Sequence, residues 1–289
     1  MADRTSALDR VLRQAGGPEI LDVLAERLPG ADLTTLLLEV MRRRAQVLSP
    51  ADVLRRYGHD RFVAPAQISF RRLRRAEDAV LSAVPANVEL ITLAPVAPLG
   101  THTTLGPVDQ NKVVSTIRNS EVAADPTNGL ALEAALRRRA APGPDPVRLA
   151  TLQRVVRAQR MEGATTFAHF TLFALVTAGR DTGDLAFERQ HVAEHLAILT
   201  AAVRACGVAD PQVLVTVLDE RFERTVEGLD AGRDPDRQSG RGYYSGLCFK
   251  IHGNGLELGD GGFVDWTARL LGNRKERLLI SALGVDRLS

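Results

Sequence analysis

Across residues 4–57 the apolar positions fall at helical spacing, as in Ile20, Leu21, Val23, Leu24 and Leu28. Asp32 reads as an N-cap before the run from Leu33 to Met41, and Ser49-Pro50-Ala51-Asp52 pairs an N-cap serine with a first-turn proline, opening a third helix to about Tyr57. Gly58 to Gln67 holds a proline and no clear period, and reads as a linker. From Ile68 the pattern changes. A basic helix from Phe70 to Val84 leads into a strand from Val88 to Leu93. Ala140 to Pro146, with three prolines and a glycine, is a surface loop. Strands are predicted at Leu149–Arg157 and His169–Thr177, a long helix from about Ala186 to Cys206, and a strand at Gln212–Leu218. Ala231 to Arg241 is polar and reads as a loop, after which short strands alternate with glycine turns. Clustered strands mixed with helices predict an α+β fold, with an antiparallel sheet flanked by helices behind a small helical N-terminal region. The boundaries are 1–66 for that region and 67–289 for the remainder. The regular strand-helix alternation of a parallel Rossmann sheet is missing.

Composition narrows the class only a little. A chain of 289 residues can bury one large core or two modest ones. With 45% hydrophobic and 25% charged residues it is an ordinary globular sequence, and a net charge of +2 implies no global attraction to nucleic acid. Lysine occurs only at Lys112, Lys250 and Lys275 while arginine is abundant, which reads as a GC-rich genome. Cys206 and Cys248 are far apart and the polar start carries no secretory signal, so free thiols and a reducing cytoplasm are expected. No apolar run is long enough to span a membrane.

The segment Ser281 to Ser289 carries the strongest chemical signal. A small apolar strand runs into Gly284, and the pair Asp286-Arg287 follows. This resembles motif 3 of class II aminoacyl-tRNA synthetases, in which the arginine lies across the triphosphate of ATP and the glycine lets the backbone approach the nucleotide. With that anchor, Val155-Val156-Arg157-Ala158-Gln159 resembles the first strand of motif 2. The resemblance gives Arg157 the bridge between the α-phosphate and the substrate carboxylate, where it stabilises negative charge as the carboxylate attacks phosphorus. Gln159 stands in place of the family's acid, Arg160 is a further ATP contact, and Phe170 of the second strand would stack on adenine.

Two blocks resemble the histidyl branch. Ala124-Asp125-Pro126-Thr127 is similar to the segment that holds the substrate's ammonium group, which implies that role for Asp125 and Thr127. Arg241-Gly242-Tyr243-Tyr244-Ser245-Gly246 is similar to the Arg-Gly-Leu-Asp-Tyr-Tyr-Thr-Gly block with Leu-Asp deleted, which implies that Arg241, Tyr243 and Tyr244 face the substrate. Gly259 to Asp265 stands where that branch has Gly-Gly-Arg-Tyr-Asp-Gly. The departures are specific. Thr166 stands where the motif 2 loop has an arginine or histidine for the γ-phosphate, Arg160 and Glu162 are that loop's only charges, no glutamate follows the second strand, and Phe263-Val264 replaces Arg-Tyr. They point to an altered substrate or to lost catalysis.

Blander readings stand beside these. Arg157 could be an edge-strand arginine reaching solvent, and Arg287 a surface charge. Asp125-Pro126-Thr127-Asn128 could simply cap the helix running to Arg139. Tyr243 and Tyr244 could alternate on a strand, one inward and one outward. His191-Val192-Ala193-Glu194-His195 spells a zinc-peptidase pattern in an exposed-looking helix, unsupported elsewhere, so no metal site is expected. Gly253 to Gly259 has a dinucleotide-like glycine pattern but no following helix, and reads as a hairpin turn. The arginine clusters at 42–44 and 71–75 are solvated helix faces by default, or an RNA or phosphate patch.

The resemblance implies ATP-dependent activation of an amino acid or similar small carboxylate as an acyl-adenylate, with ATP and Mg²⁺ as cofactors. It also implies a homodimer formed through Phe70 to Leu93. In the family an anticodon-binding domain follows motif 3, where this sequence ends, so tRNA is not an expected partner. The alternative is a catalytically silent paralogue, like the regulatory subunit of ATP phosphoribosyltransferase, that binds a small ligand and a partner enzyme.

Overall fold

The computed structural model describes residues 2–159 and 167–289 and divides into two units. The first comprises residues 1–60 with 115–120. Its helices are α1 (Ala2–Ala15), α2 (Glu19–Asp22), which runs into a π-helical turn at Val23–Arg27, α3 (Gly30–Gln46) and α4 (Pro50–Tyr57). The cap of α4 forms as expected: the Ser49 side chain accepts from the Asp52 amide while Asp52 accepts from the Ser49 amide. Asp32 is not a cap. Helix α3 starts earlier, after Pro29, and Asp32 lies in its first turn, where an acid suits the positive helix end. Among the described residues 7–60 none is buried.

The second unit, residues 61–114 and 121–289, holds the sheet. Its elements in order are α5 (Phe70–Ser82), β1 (Glu89–Leu90), β2 (Val96–Pro98), α6 (Thr101–Leu105), β3 (Ser120–Val122), α7 (Pro126–Ala140), β4 (Val147–Val156), β5 (His169–Arg180), α8 (Ala186–Ala205), β6 (Gln212–Val217), β7 (Gly232–Arg233), β8 (Ser245–Gly253), β9 (Leu256–Val264), α9 (Trp266–Leu271) and β10 (Glu276–Gly284). Eight strands pair in the order β1-β4-β5-β10-β9-β8-β6-β7. Only the two outermost pairings, β1 with β4 and β6 with β7, are parallel.

Helices cover both faces of this sheet, which explains why its central strands read as unbroken apolar runs. Along β10, Leu278 and Ile280 pack with Leu130, Ala134 and Trp266 of α7 and α9, whereas Leu279 and Leu283 pack with Val192 and Leu199 of α8. Helix α8 is therefore inside the molecule, contrary to its exposed reading: Phe187, His191, His195 and Leu199 are all buried. The expected strand at Val88–Leu93 shrinks to the two residues of β1, where Glu89 and Leu90 register with Leu149 and Ala150 of β4, and the Ile91 amide makes one further bond to the Ala150 carbonyl before the chain leaves the sheet. The loop predicted at 231–241 contains the short β7, and helix α9 interrupts what reads as continuous strand and turn. The glycine pattern at 253–259 is a hairpin, with Asn254 and Gly255 at φ 52° and 75°, the left-handed pair that a two-residue turn requires.

Candidate functional site

Two adjoining cavities, of about 730 and 160 Å³, open where β4, β5, β8, β9 and β10 meet the start of α7. Asp125, Arg157, Glu257 and Asp260 line both. The strand registers place Asp260 opposite Lys250 on β8 and Ala282 on β10, so these side chains share one face of the sheet.

At the start of α7, Asp125 is the N-cap and Pro126 the first helical residue. Asp125 Oδ1 accepts from the Thr127 amide at 3.0 Å and the Thr127 hydroxyl at 2.7 Å. The capping reading and the site reading thus concern the same carboxylate, since its other oxygen lies 3.6 Å from the Arg157 guanidinium. Behind it stands a buried pair that the sequence did not disclose. His102 Nε2 accepts from the Ala124 and Asp125 amides at 3.0 and 3.3 Å, and Nδ1 faces Glu121 Oε1 at 2.6 Å. Glu121 also accepts from the Gly100 and His102 amides and from Gln110. Burial alone would raise the pKa of this carboxyl. The converging N–H donors outweigh burial and lower it from 4.5 to about 2.

A depressed acid contributes stability above its unfolded pKa and loses that contribution as pH falls through the folded value. The stability difference between the native chain and Glu121→Gln is therefore expected to be full at neutral pH. It should shrink between pH 4.5 and about 2, a trend that urea melts across that range will check.

The far wall of the larger cavity is aromatic. Tyr243 packs edge-on against Tyr244 at 4.8 Å and against Trp266 at 5.7 Å. Both tyrosines point inward from the turn that precedes β8, so they do not alternate on a strand. Burial, reinforced by nearby acids, pushes both phenols well above their ordinary pKa and keeps them neutral donors. Tyr243 bonds the Thr127 side chain, and the Tyr244 hydroxyl donates to Asp260 Oδ2 at 2.9 Å. Asp260 is desolvated by the surrounding walls, which raises its carboxyl despite Tyr244 and Arg237. Arg237 is buried, with N–H groups on the Ser239 and Phe249 carbonyls and one nitrogen 3.5 Å from Asp260.

The smaller cavity contains the motif 3-like residues. A Cβ at Gly284 would meet nothing closer than Arg287 Cδ at 3.5 Å, and its φ of −79° suits any residue. Neither backbone conformation nor packing requires glycine there; its effect is to leave cavity space open. Asp286 Oδ1 accepts from the Thr171 amide at 2.9 Å, while the buried Oδ2 has no hydrogen bond from the described residues and lies 3.7 Å from Arg154. Arg287 is exposed and donates to the Glu257 carbonyl. Phe170 lies beneath the Arg157 guanidinium, 5.1 Å from the ring centre, and Arg157 Nε donates to the Ala124 carbonyl at 2.9 Å.

The structure thus brings Arg157, Phe170, Gly284, Arg287 and Asp125 to one cavity and Gln159, Arg241, Tyr243 and Tyr244 to the other, with Thr127 buried behind Asp125. Arg241 is turned onto its own loop, donating to the carbonyls of Arg237 and Pro235. Arg160, Glu162 and Thr166 lie outside the described residues. His102, Glu121, Arg237 and Asp260 were missed, since no local pattern marks them as lining a site. His195 lies between the Thr177 and Ser281 hydroxyls at 3.0 and 2.8 Å, and His191 faces Glu194. Among the described residues no group of three His, Cys, Asp or Glu side chains could hold a metal ion, and no helix is long and apolar enough to cross a membrane.

No known family model matches the sequence, and no curated protein matches it. Solved structures do. The ATP phosphoribosyltransferase regulatory subunit/histidyl-tRNA synthetase of Bacillus halodurans C superposes with a TM-score of 0.58 at 15% identity, over 76% of this chain and 78% of that one. Apo S. aureus histidyl-tRNA synthetase gives 0.56 at 14% identity, over 76% and 64% of the two chains. Desulfitobacterium hafniense pyrrolysyl-tRNA synthetase gives 0.53 at 14%, over 89% and 78%. The large, mostly antiparallel sheet flanked by helices is accordingly a class II synthetase-like fold.

Proposed function

We propose that the joined cavities bind an amino acid or similar small carboxylate together with ATP, and that the chain activates the carboxylate as an acyl-adenylate. One observation carries this reading: Arg157 stands at the junction of the two cavities, with the acidic and phenolic walls on one side and Phe170, Gly284 and Arg287 on the other. A cation there can hold a carboxylate from one side and a phosphate from the other, which is where negative charge develops in adenylation. Asp125, fixed in place by the Thr127 hydroxyl, would hold the ammonium group, and Phe170 with Arg287 the nucleotide. Bound ATP supplies the adenylyl group and the leaving pyrophosphate. The open space at Gly284 fits a ligand in the smaller cavity. Mg²⁺ would enter on the triphosphate, since the described residues offer it no three-ligand site. A homodimer through α5 and β1, and a cytoplasmic location, belong to the same proposal. The outer face of α5 leaves Phe70 74% exposed, and light scattering would reveal the dimer.

The test is calorimetry of ATP with Mg²⁺ on the full chain and on Gly284→Val. The first added carbon meets only ordinary contacts with Arg287 and Leu258, and a urea melt of the variant checks the fold, while ATP binding should weaken about tenfold or more by loss of cavity space. Equal ATP affinity in both proteins would remove the nucleotide from this cavity.

A second reading has its own support. Arg157 is already engaged with the Ala124 carbonyl and the Phe170 ring, which is a resting arrangement suited to a ligand-binding regulator of a partner enzyme. ATP-pyrophosphate exchange separates the two, because only the activator supports it.

A further inference from the structure

Resting on the amino-acid reading above, we propose that the substrate carries a second, cationic nitrogen on its side chain, held by Asp260. The residue sits where both cavities meet, and its side chain keeps 41% of its surface accessible. Tyr244 occupies Oδ2, whereas Oδ1 takes no hydrogen bond from any described residue. Of the cations that line the cavity, Arg237 keeps one nitrogen 3.5 Å from Asp260, on the same Oδ2 that Tyr244 occupies, which leaves Oδ1 open. Lys250 pairs with Glu257 at 2.6 Å, Arg157 bonds the Ala124 carbonyl and faces Asp125, Arg241 bonds carbonyls of its own loop, and Arg237 spends two donors on Ser239 and Phe249.

The balance at Asp260 agrees. Burial raises its carboxyl in spite of Tyr244 and Arg237, and the nearby charges of Asp125 and Glu257, which raise it further, are the part of its surroundings that favours a cation. An independent sign of a ligand is Asn128. It is only 4% exposed, lines the larger cavity beside Thr127, and its Nδ2 has no acceptor among the described residues. A buried amide donor left unpaired is costly, and a ligand carboxylate beside Arg157 would supply the acceptor. Three points then define the substrate: ammonium on Asp125, carboxylate on Arg157 and Asn128, and a side-chain cation on Asp260.

The experiment titrates the full chain calorimetrically with lysine, arginine and norleucine, on the native protein and on Asp260→Asn, which can still accept the Tyr244 hydroxyl. A basic amino acid should bind about tenfold or more tighter than norleucine, as a charge-assisted hydrogen bond in a partly enclosed site provides. Asp260→Asn should reduce that preference to within about twofold, and a near-native urea melt of the variant reports an intact fold. Equal binding of lysine, arginine and norleucine, or an undiminished preference in Asp260→Asn, overturns the inference and leaves the amino-acid site standing. Failure of all three to bind folded protein removes the amino-acid reading itself, and the inference with it.

Discussion

Replacing Arg138 with alanine is expected to destabilise the protein by about 3–5 kcal/mol, because it strands a buried carboxylate. Arg138 lies in α7 with 1% of its side chain exposed and makes a two-pronged pair with Glu276 at the start of β10, at 3.0 and 3.1 Å. Its third nitrogen donates to the Gly143 and Asp145 carbonyls, tying down the proline-rich loop. Without the guanidinium, Glu276 must either take up a proton or remain charged among apolar residues, and two carbonyls lose their donor. The companion variant Arg138→Met with Glu276→Leu removes both charges together. Its loss should be smaller than that of Arg138→Ala alone, since no unpaired ion remains. Urea melts of the three proteins decide it. A single variant as stable as the native chain would mean that the pair is not closed from water.

Arg157→Ala is expected to cut amino acid-dependent ATP-pyrophosphate exchange about 10²- to 10³-fold, the usual cost of losing a preorganised charge at a developing anion. The fold should tolerate the change. The residue is partly exposed, and it gives up one hydrogen bond to Ala124 and a ring contact with Phe170, together about 1–2 kcal/mol. A near-native melting curve with lost exchange would assign Arg157 to the chemistry. Exchange at the native rate in the variant would remove Arg157 from the reaction, and absence of exchange in the native protein with every amino acid tried would favour the ligand-binding regulator.

How far the site was legible depends on the type of signal. Asp125 and Pro126 announce a helix start locally, and the Asp286-Arg287 pair after Gly284 stands out because charge follows an apolar strand so abruptly. His102 lies 19 residues from Glu121 and 22 from Ala124, within a polar stretch with no period, so nothing nearby in sequence marks it as buried. The opposite error occurred at α8. Polar residues around His191 and His195 read as solvated, yet Thr177 on β5 and Ser281 on β10 supply hydroxyls that satisfy His195 inside the core.

By itself the sequence determined the kinds of element and most of their spans. The strands at 149–157 and 169–177, the helix at 186–206, the cap at Ser49 and the hairpin at Asn254-Gly255 all follow from short-range causes: side-chain period, capping hydrogen bonds and φ preference. Which strands lie side by side was decided only in the tertiary structure. Register sets which face each residue occupies, and a slip of one position would turn Asp260 away from Lys250 and Ala282 and out of the cavity. The pairing of β9 with β8 and β10, and the docking of α7 across the sheet, bring Asp125, Arg157, Asp260 and Arg287 together from far apart in the chain. Contacts of that range depend on packing both sheet faces at once, which no local pattern of residues encodes.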